Sequence, residues 1–420
     1  ILLGGVVKLY LLKKILVIIE FSMAIVLVLM VYILQPVFLI RWHRLNSSRI
    51  GHFAANTELY CCERDSGINV PKGLYVDLFY FQRGNVCNNQ LAVMWKRELN
   101  IIPSCIGVIF DKASIIIDFL SPVFGSIKLH IIPDNVSHDR DVNNLLEGSK
   151  PHLKFTKNEN KKGQSWLNKN KIPNNAKIVL LMVRDSAYLD NSLPEYNWEY
   201  HSYRDSDISH FFDVSEELAG KGFYVIRMGQ TVAKKLQLKH QKVFDYATNG
   251  MRTDFIDIFL SSICTFIVST GTGIDSVACT CFRKPSVFVN ISPVGYFPSY
   301  SSNTLLLSKH YISTNSNKEL TLSEIFKNNV GYCNNTKCYY DKEVELVEST
   351  SGEITDVVLE MVARLDGSWQ EEYNDQHIHS RFLDIYRKYI SDKNKKQLIH
   401  GEIRFRYSMN FLRNNPEYIK

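Results

Sequence analysis

Phe266-Ile267-Val268-Ser269-Thr270-Gly271-Thr272-Gly273-Ile274-Asp275 is the stretch on which the fold turns. An apolar run enters a loop of glycines and hydroxylated side chains, and a helical pattern over 274–282 follows. A buried strand that passes through a glycine loop into a helix is the unit from which parallel α/β sheets are built. Gly271 and Gly273 let backbone N–H groups approach an anion, and the start of the helix adds partial positive charge. Ser269, Thr270 and Thr272 add hydroxyls to that loop. Asp275, in the first helical turn, stands where a ribose hydroxyl would be received, or where an acid simply complements the helix dipole. The glycine spacing fits neither the Walker A loop nor the GxGxxG turn.

Outward from this loop the same alternation continues. Strand patterns over 176–183, 222–227 and 285–290 are separated by helical patterns over 208–219 and 253–261. Thr350 and Glu353 form a capping-box pair ahead of Ile354, Val357, Val358, Met361 and Leu365 at helical spacing. Toward the N-terminus, strand-like runs at 37–42, 74–81, 106–110 and 127–132 alternate with helical patterns at 53–63 and around Leu91, Met94, Trp95 and Leu99. A polar stretch over 134–175 lies between the two halves. The expected fold class is α/β, with two Rossmann-like domains behind an N-terminal membrane-anchor helix. The boundaries expected are 1–35 for the anchor, 36–150 for the first domain, 151–171 for a linker, 172–345 for the second domain, and 346–420 for C-terminal helices packing across the cleft.

The charge pattern bears on partners. The net charge is +6, and the first fifty residues hold Lys8, Lys13, Lys14, Arg41, Arg44 and Arg49 against Glu20 alone. The excess therefore belongs to the N-terminal segment, where anionic lipid is the expected partner, and no nucleic-acid footprint is left over. Residues 15–34 are largely apolar with only Glu20 charged, and are long enough to span a bilayer core. The flanking basic residues balance, so charge does not set an orientation, and a spanning helix and a monotopic anchor both fit. The nine cysteines form no CxxC pair and are expected as reduced thiols, although Cys333 and Cys338 are spaced for a disulfide.

Several residues are candidates for chemistry. Arg184 and Arg227 end strands of the second domain, where a guanidinium can clamp a diphosphate or make a surface ion pair. Gly51-His52 places an imidazole at a strand-to-helix turn, where a helix N-terminus would keep it neutral as a general base needs, or where it caps the turn. Asp205-Ser206-Asp207 has the spacing of a divalent-metal DxD, but no buried strand precedes it and helix capping accounts for it. No metal ligand set is expected, and neither GxSxG nor HExxH occurs.

Together these stretches resemble a largely uncharacterised bacterial family of glycosyltransferases encoded among surface-polysaccharide genes. The resemblance rests on residues 49–63 (RIGHFAANTELYCCE), 180–189 (LLMVRDSAYL), 200–211 (YHSYRDSDISHF), 222–229 (GFYVIRMG) and 268–290 (VSTGTGIDSVACTCFRKPSVFVN), and extends through 357–369 and 411–416. It implies glycosyl transfer from a nucleotide-sugar in the two-domain GT-B-like fold, which uses no bound metal and no further cofactor. Enzymes of that fold often carry Glu at the ribose position, whereas the acid here is Asp275. On this reading Arg184, Arg227, the 269–273 loop and Asp275 bind the donor. The acceptor, a glycan or a lipid-linked sugar, meets the Gly51 loop of the first domain with His52 or a nearby carboxylate as base. The site of action expected is the cytoplasmic face of the bacterial inner membrane. A glycerol-phosphate or pyruvyl transferase of surface-polymer assembly is the alternative enzyme, and a non-catalytic membrane scaffold the alternative outside catalysis.

Overall fold

The computed structural model describes residues 2–84, 86–133, 139–187, 191, 195, 197–237, 239–390 and 400–420. The chain divides into two compact units, Ile1–His138 and Asp139–Lys420.

The first unit opens with helix α1 (Leu2–Leu34), followed by β1 (Leu39–Leu45), α2 (Ile50–Asp65), β2 (Tyr75–Phe81), α3 (Asn89–Glu98) and α4 (Ser104–Leu120). β1 and β2 pair in parallel, and isolated parallel bridges from Trp42 to Ile131 and from Phe79 to Ile101 flank them. The register sets Arg41 opposite Asp77, and the Arg41 guanidinium grips that carboxylate through two contacts of 2.6 Å. Both are buried, so the ion pair is spared most solvent screening. The core closes where Trp42 meets Phe110 edge-on and donates its indole N–H to Ser114 Oγ at 2.9 Å.

Two expected strands are not formed. Residues 106–110 lie within α4, because Pro103 starts a helix there and the apolar run is long enough to continue it. Gly107 lets this helix press onto Tyr80, whose ring carbon would lie 2.4 Å from an added Cβ. Residues 127–130 wind as a 3₁₀ turn and leave only Ile131 in a bridge. Among the described residues the first unit thus carries a two-strand parallel α/β core rather than a full Rossmann-like sheet.

The second unit begins earlier than expected. The stretch 151–171 is not a linker: α5 (Lys157–Lys169) has a complete capping box from Thr156 and Glu159. Phe155 stacks among Phe255, Phe259 and Phe282, and Leu146, Leu153 and Leu167 are buried. These residues belong to the second core because their apolar side chains have partners there.

β3 (Ile178–Met182), α6 (Phe212–Gly220), β4 (Tyr224–Arg227), β5 (Val243–Asp245), α7 (Asp254–Ile263), β6 (Phe266–Ser269), β7 (Ser286–Ile291) and β8 (Thr304–Ser308) follow. A small antiparallel sheet of β9 (His310–Ser313), β10 (Lys318–Glu319) and β11 (Val344–Val347) encloses the short helices α8 (Leu322–Lys327) and α9 (Thr336–Asp341) in sequence. The last residues supply α10 (Ser351–Asp366), α11 (Asp375–Ile390), β12 (Arg406–Tyr407) and α12 (Met409–Asn414). The capping box of Thr350 and Glu353 opens α10 as expected. Cys333 and Cys338 are joined as a disulfide with Cα atoms 5.5 Å apart, so reduced thiols are not found for this pair.

The large sheet runs β12-β8-β7-β6-β3-β4-β5, all parallel. From β3 the chain proceeds outward through β4 to β5, then returns to the other side of β3 and proceeds through β6, β7 and β8. That is the doubly wound order, with its reversal between β3 and β6.

Candidate functional site

In a doubly wound sheet the loops diverge at the carboxyl ends of the two strands that flank the reversal, and the crevice between them receives ligands. Here those ends are Met182, which leads into Arg184, and Ser269, which leads into the glycine loop. The two segments are tied together: Arg184 N–H donates to Thr270 Oγ1 at 2.8 Å, and Thr270 N–H to the Met182 carbonyl at 3.1 Å.

Within the loop the residues take different tasks. Ser269 and Thr270 are buried. Ser269 Oγ donates to Asp275 at 2.7 Å and accepts the N–H of Gly271 at 3.1 Å. Gly271 holds φ +79°, a left-handed conformation that an added side chain resists. The open edge is therefore Gly271, Thr272 and Gly273. Thr272 Oγ1 is buried and makes no hydrogen bond among the described residues.

Asp275 does not lie at that edge. It is buried beneath the loop, where desolvation pushes its carboxyl up to about 6 against hydrogen bonds from Ser269 and from the backbone at Thr272 and Ser276. Its position is that of a buttress. The helix expected over 274–282 is also altered, since residues 277–281 wind as a π-helix.

Basic groups gather around the open edge. Arg204, on a 3₁₀ turn spanning Glu199–Arg204, donates to the Gly271 carbonyl at 2.7 Å. Arg184 Nε stands 3.4 Å from Asp205 Oδ1, a loose contact for a charged pair. Burial and then the charge of Arg204 pull Arg184 below its usual value, which marks two cations held near each other. Lys309 is buried, donates to the Asp205 carbonyl at 2.6 Å, and is lowered by desolvation. Burial raises Asp205, which weakens it as a counter-charge. Glu348 closes the far side by accepting from Asp207 N–H, His210 Nδ1 and Asn290 Nδ2.

The DxD triplet is part of this framework. Asp207 caps the turn at Ile208–Phe211 by accepting from Ser209 N–H, and it also pairs with Lys234, which holds its carboxyl at about 2. The capping expected for both acids is thus found for Asp207, whereas the Asp205 side chain faces Arg184 instead.

Arg227 is not a ligand-facing group. It is 1% exposed and is committed to Asp245, Asp185 and the Lys234 carbonyl inside the sheet edge. A strand-end arginine reads the same in sequence whether it turns outward or inward. Here the β5 carboxylate of Asp245, directly opposite in register, draws it inward. Gly51 and His52 sit in the first turn of α2 in the first unit, as expected, with His52 half-buried.

Sequence reasoning missed Arg204 and Lys309. The signal for Arg204 was present, since the 200–211 stretch was singled out, but only the acids in it were weighed. Lys309 follows β8, a strand not anticipated at all.

No family model matches the chain, and no curated protein does either. Among solved structures it is similar to the ADP-heptose lipopolysaccharide heptosyltransferase II of E. coli at 13% identity. That match has a TM-score of 0.36 and covers 64% of this chain and 89% of the other. A glycosyl transferase family 9 structure from Veillonella parvula is similar at 8% identity and a TM-score of 0.36, covering 60% of this chain and 79% of that one.

Proposed function

We propose that the chain is a glycosyltransferase that moves a sugar from a nucleotide-activated donor to a glycan or lipid-linked acceptor in bacterial surface-polysaccharide assembly. The observation that carries this reading is the basic rim at the sheet reversal. Arg184 and Arg204 flank an open backbone edge at 271–273 whose Thr272 hydroxyl has no partner among the described residues. A diphosphate fits that chemistry, because guanidinium groups and a hydroxyl donor satisfy its oxygens in charge and in hydrogen bonds.

The same rim favours the reaction. As the bond between the sugar C1 and the diphosphate oxygen breaks, its electron pair leaves on the phosphate, and fixed cations already in place stabilise the growing charge. No divalent metal is required in this scheme, so activity should survive EDTA. The acceptor hydroxyl attacks C1 and gives up its proton to a base, the role proposed for His52. Ser269, Thr270 and Asp275 act on the donor through the loop whose shape they hold. The work would take place at the cytoplasmic face of the inner membrane.

A thermal-shift panel of nucleotides and nucleotide-sugars tests the reading. A cognate ligand at a hundred times its dissociation constant should raise stability by about 2.7 kcal/mol. If no nucleoside diphosphate or nucleotide-sugar moves the melt, the reading fails.

A further inference from the structure

α1 is apolar over Tyr10–Leu34, with a mean hydropathy of 2.7, and most of that stretch is exposed. A free span needs about twenty consecutive apolar residues with lipid all round them. α1 does not offer that. Its C-terminal half lies along α4 in the same direction, with Lys112 over the Phe21 ring at 5.0 Å and Tyr32 against the Phe124 ring at 6.1 Å. Ala24, Val28 and Val31 are buried in one cluster with Phe110, Ala113 and Ile117 of α4. Gln35 donates to the Ser126 carbonyl at 3.2 Å and fixes the end of the pair. The N-terminal half carries Lys13 and Lys14. Glu20 inside the apolar run and Lys112 beside Phe21 therefore set charged side chains within the span itself, where a bilayer interior would penalise them.

α4 has an unusual outer surface. On the face away from Phe110, Ala113 and Ile117 it shows Ile115 (54% exposed) and Phe119 (82% exposed), four residues apart. Val123, Phe124 and Leu129 continue the exposed apolar surface past its end. A surface helix in water puts polar residues on that face. The patch is continuous with α1 through the Tyr32–Phe124 contact. Exposed apolar surface of this extent marks an interaction site.

We infer that α1 and the end of α4 form a single two-helix foot that lies in the interfacial zone of a lipid bilayer without crossing it. Lipid is the occupant because the surface is convex helix continuous with a long apolar helix, with Lys13, Lys14, Lys112 and Lys128 at hand for anionic headgroups. This rests on the reading that α1 enters lipid at all, and the experiment separates the two claims.

The full chain is reconstituted into phosphatidylethanolamine–phosphatidylglycerol vesicles containing a phospholipid with a diazirine near the headgroup or, in a second set, near the acyl-chain end. After photolysis, labelled peptides are mapped by mass spectrometry. The foot requires labelling of both 10–34 and 115–129, mainly by the shallow probe. Phe119→Glu, at a site exposed enough to spare the melt, should lower labelling of 115–129 by about tenfold. Labelling of 10–34 alone, mainly by the deep probe, overturns the foot and leaves a simple span. Labelling of neither region overturns the entry of α1 into lipid as well. An unlabelled 115–129 that crosslinks to a second copy of the chain would assign the patch to self-association instead.

Discussion

Replacing Asp275 with asparagine distinguishes a ribose contact from a buttress. In the folded chain, burial raises its carboxyl to about 6; in an unfolded chain an aspartate titrates near 3.9. The folded value is the higher one, so the folded state takes up the proton first as pH falls. This group therefore adds stability on acidification, beginning near pH 7 and complete below about pH 4. Between pH 7.5 and 5.0 the gain from one such carboxyl is about 1.4 kcal/mol. Asp275→Asn cannot titrate, so its stability should change by about 1.4 kcal/mol less than wild type over the same interval. Asp257, also raised to about 6 by burial, titrates in both proteins and cancels from the comparison. Urea denaturation of the two proteins at several pH values measures the difference, and calorimetric titration with the cognate nucleotide measures binding. A buttress predicts the pH effect with nucleotide and nucleoside affinities changed by no more than about threefold, under 1 kcal/mol. Identical pH dependence in both proteins, with nucleoside affinity down by tenfold or more, would refute the buried-buttress argument and return Asp275 to the ribose.

Four further outcomes follow from the structure. Arg204→Ala should weaken nucleotide binding by about 1.5–3 kcal/mol with a small effect on the melt. Arg227→Met should leave binding per folded molecule intact but cost about 3–5 kcal/mol, because it strands the Asp245 carboxylate in the core; paired titration and denaturation would expose the reverse pattern if the two roles are exchanged. His52→Ala should lower turnover by about 10²–10⁴-fold with donor affinity unchanged, and equal losses in titration and in rate would remove it from base catalysis. Deleting residues 1–35 uncovers the core face that Ala24, Val28 and Val31 seal. The two valines alone are worth roughly 3 kcal/mol or more at about 1.5–3 each, so an unchanged cooperative melt of 36–420 would show that α1 is a mere tether.

The legible parts of this protein were those set by neighbours along the chain. Strands β3, β4, β6 and β7 and helices α6 and α7 were readable from their own apolar periods and from the glycines that end them, because both signals act within a few residues. The capping box at Thr350 and Glu353 was legible for the same reason. The run at 106–110 misled because a short apolar segment has no period to tell strand from helix, and its packing against Tyr80 decides. β12 exists as a strand by pairing with β8, about a hundred residues earlier in the sequence.

The glycine loop and Arg184 were visible as candidates, since a strand end followed by small residues is a local pattern. Which arginine faces the crevice was not visible. Arg227 and Arg184 each follow an apolar run, yet Arg227 meets Asp245 across the sheet while Arg184 turns toward Asp205 and Arg204. Nor could sequence bring Lys309 to the loop after β3, since that closeness is created by the strand order β8-β7-β6-β3. Sequence determined those strands and helices whose apolar period is complete within the segment, because that choice is made by neighbours in the chain. Only the tertiary structure decided which charges meet, because a charge finds its partner through the folded sheet, and burial there fixes whether it serves a ligand or the core.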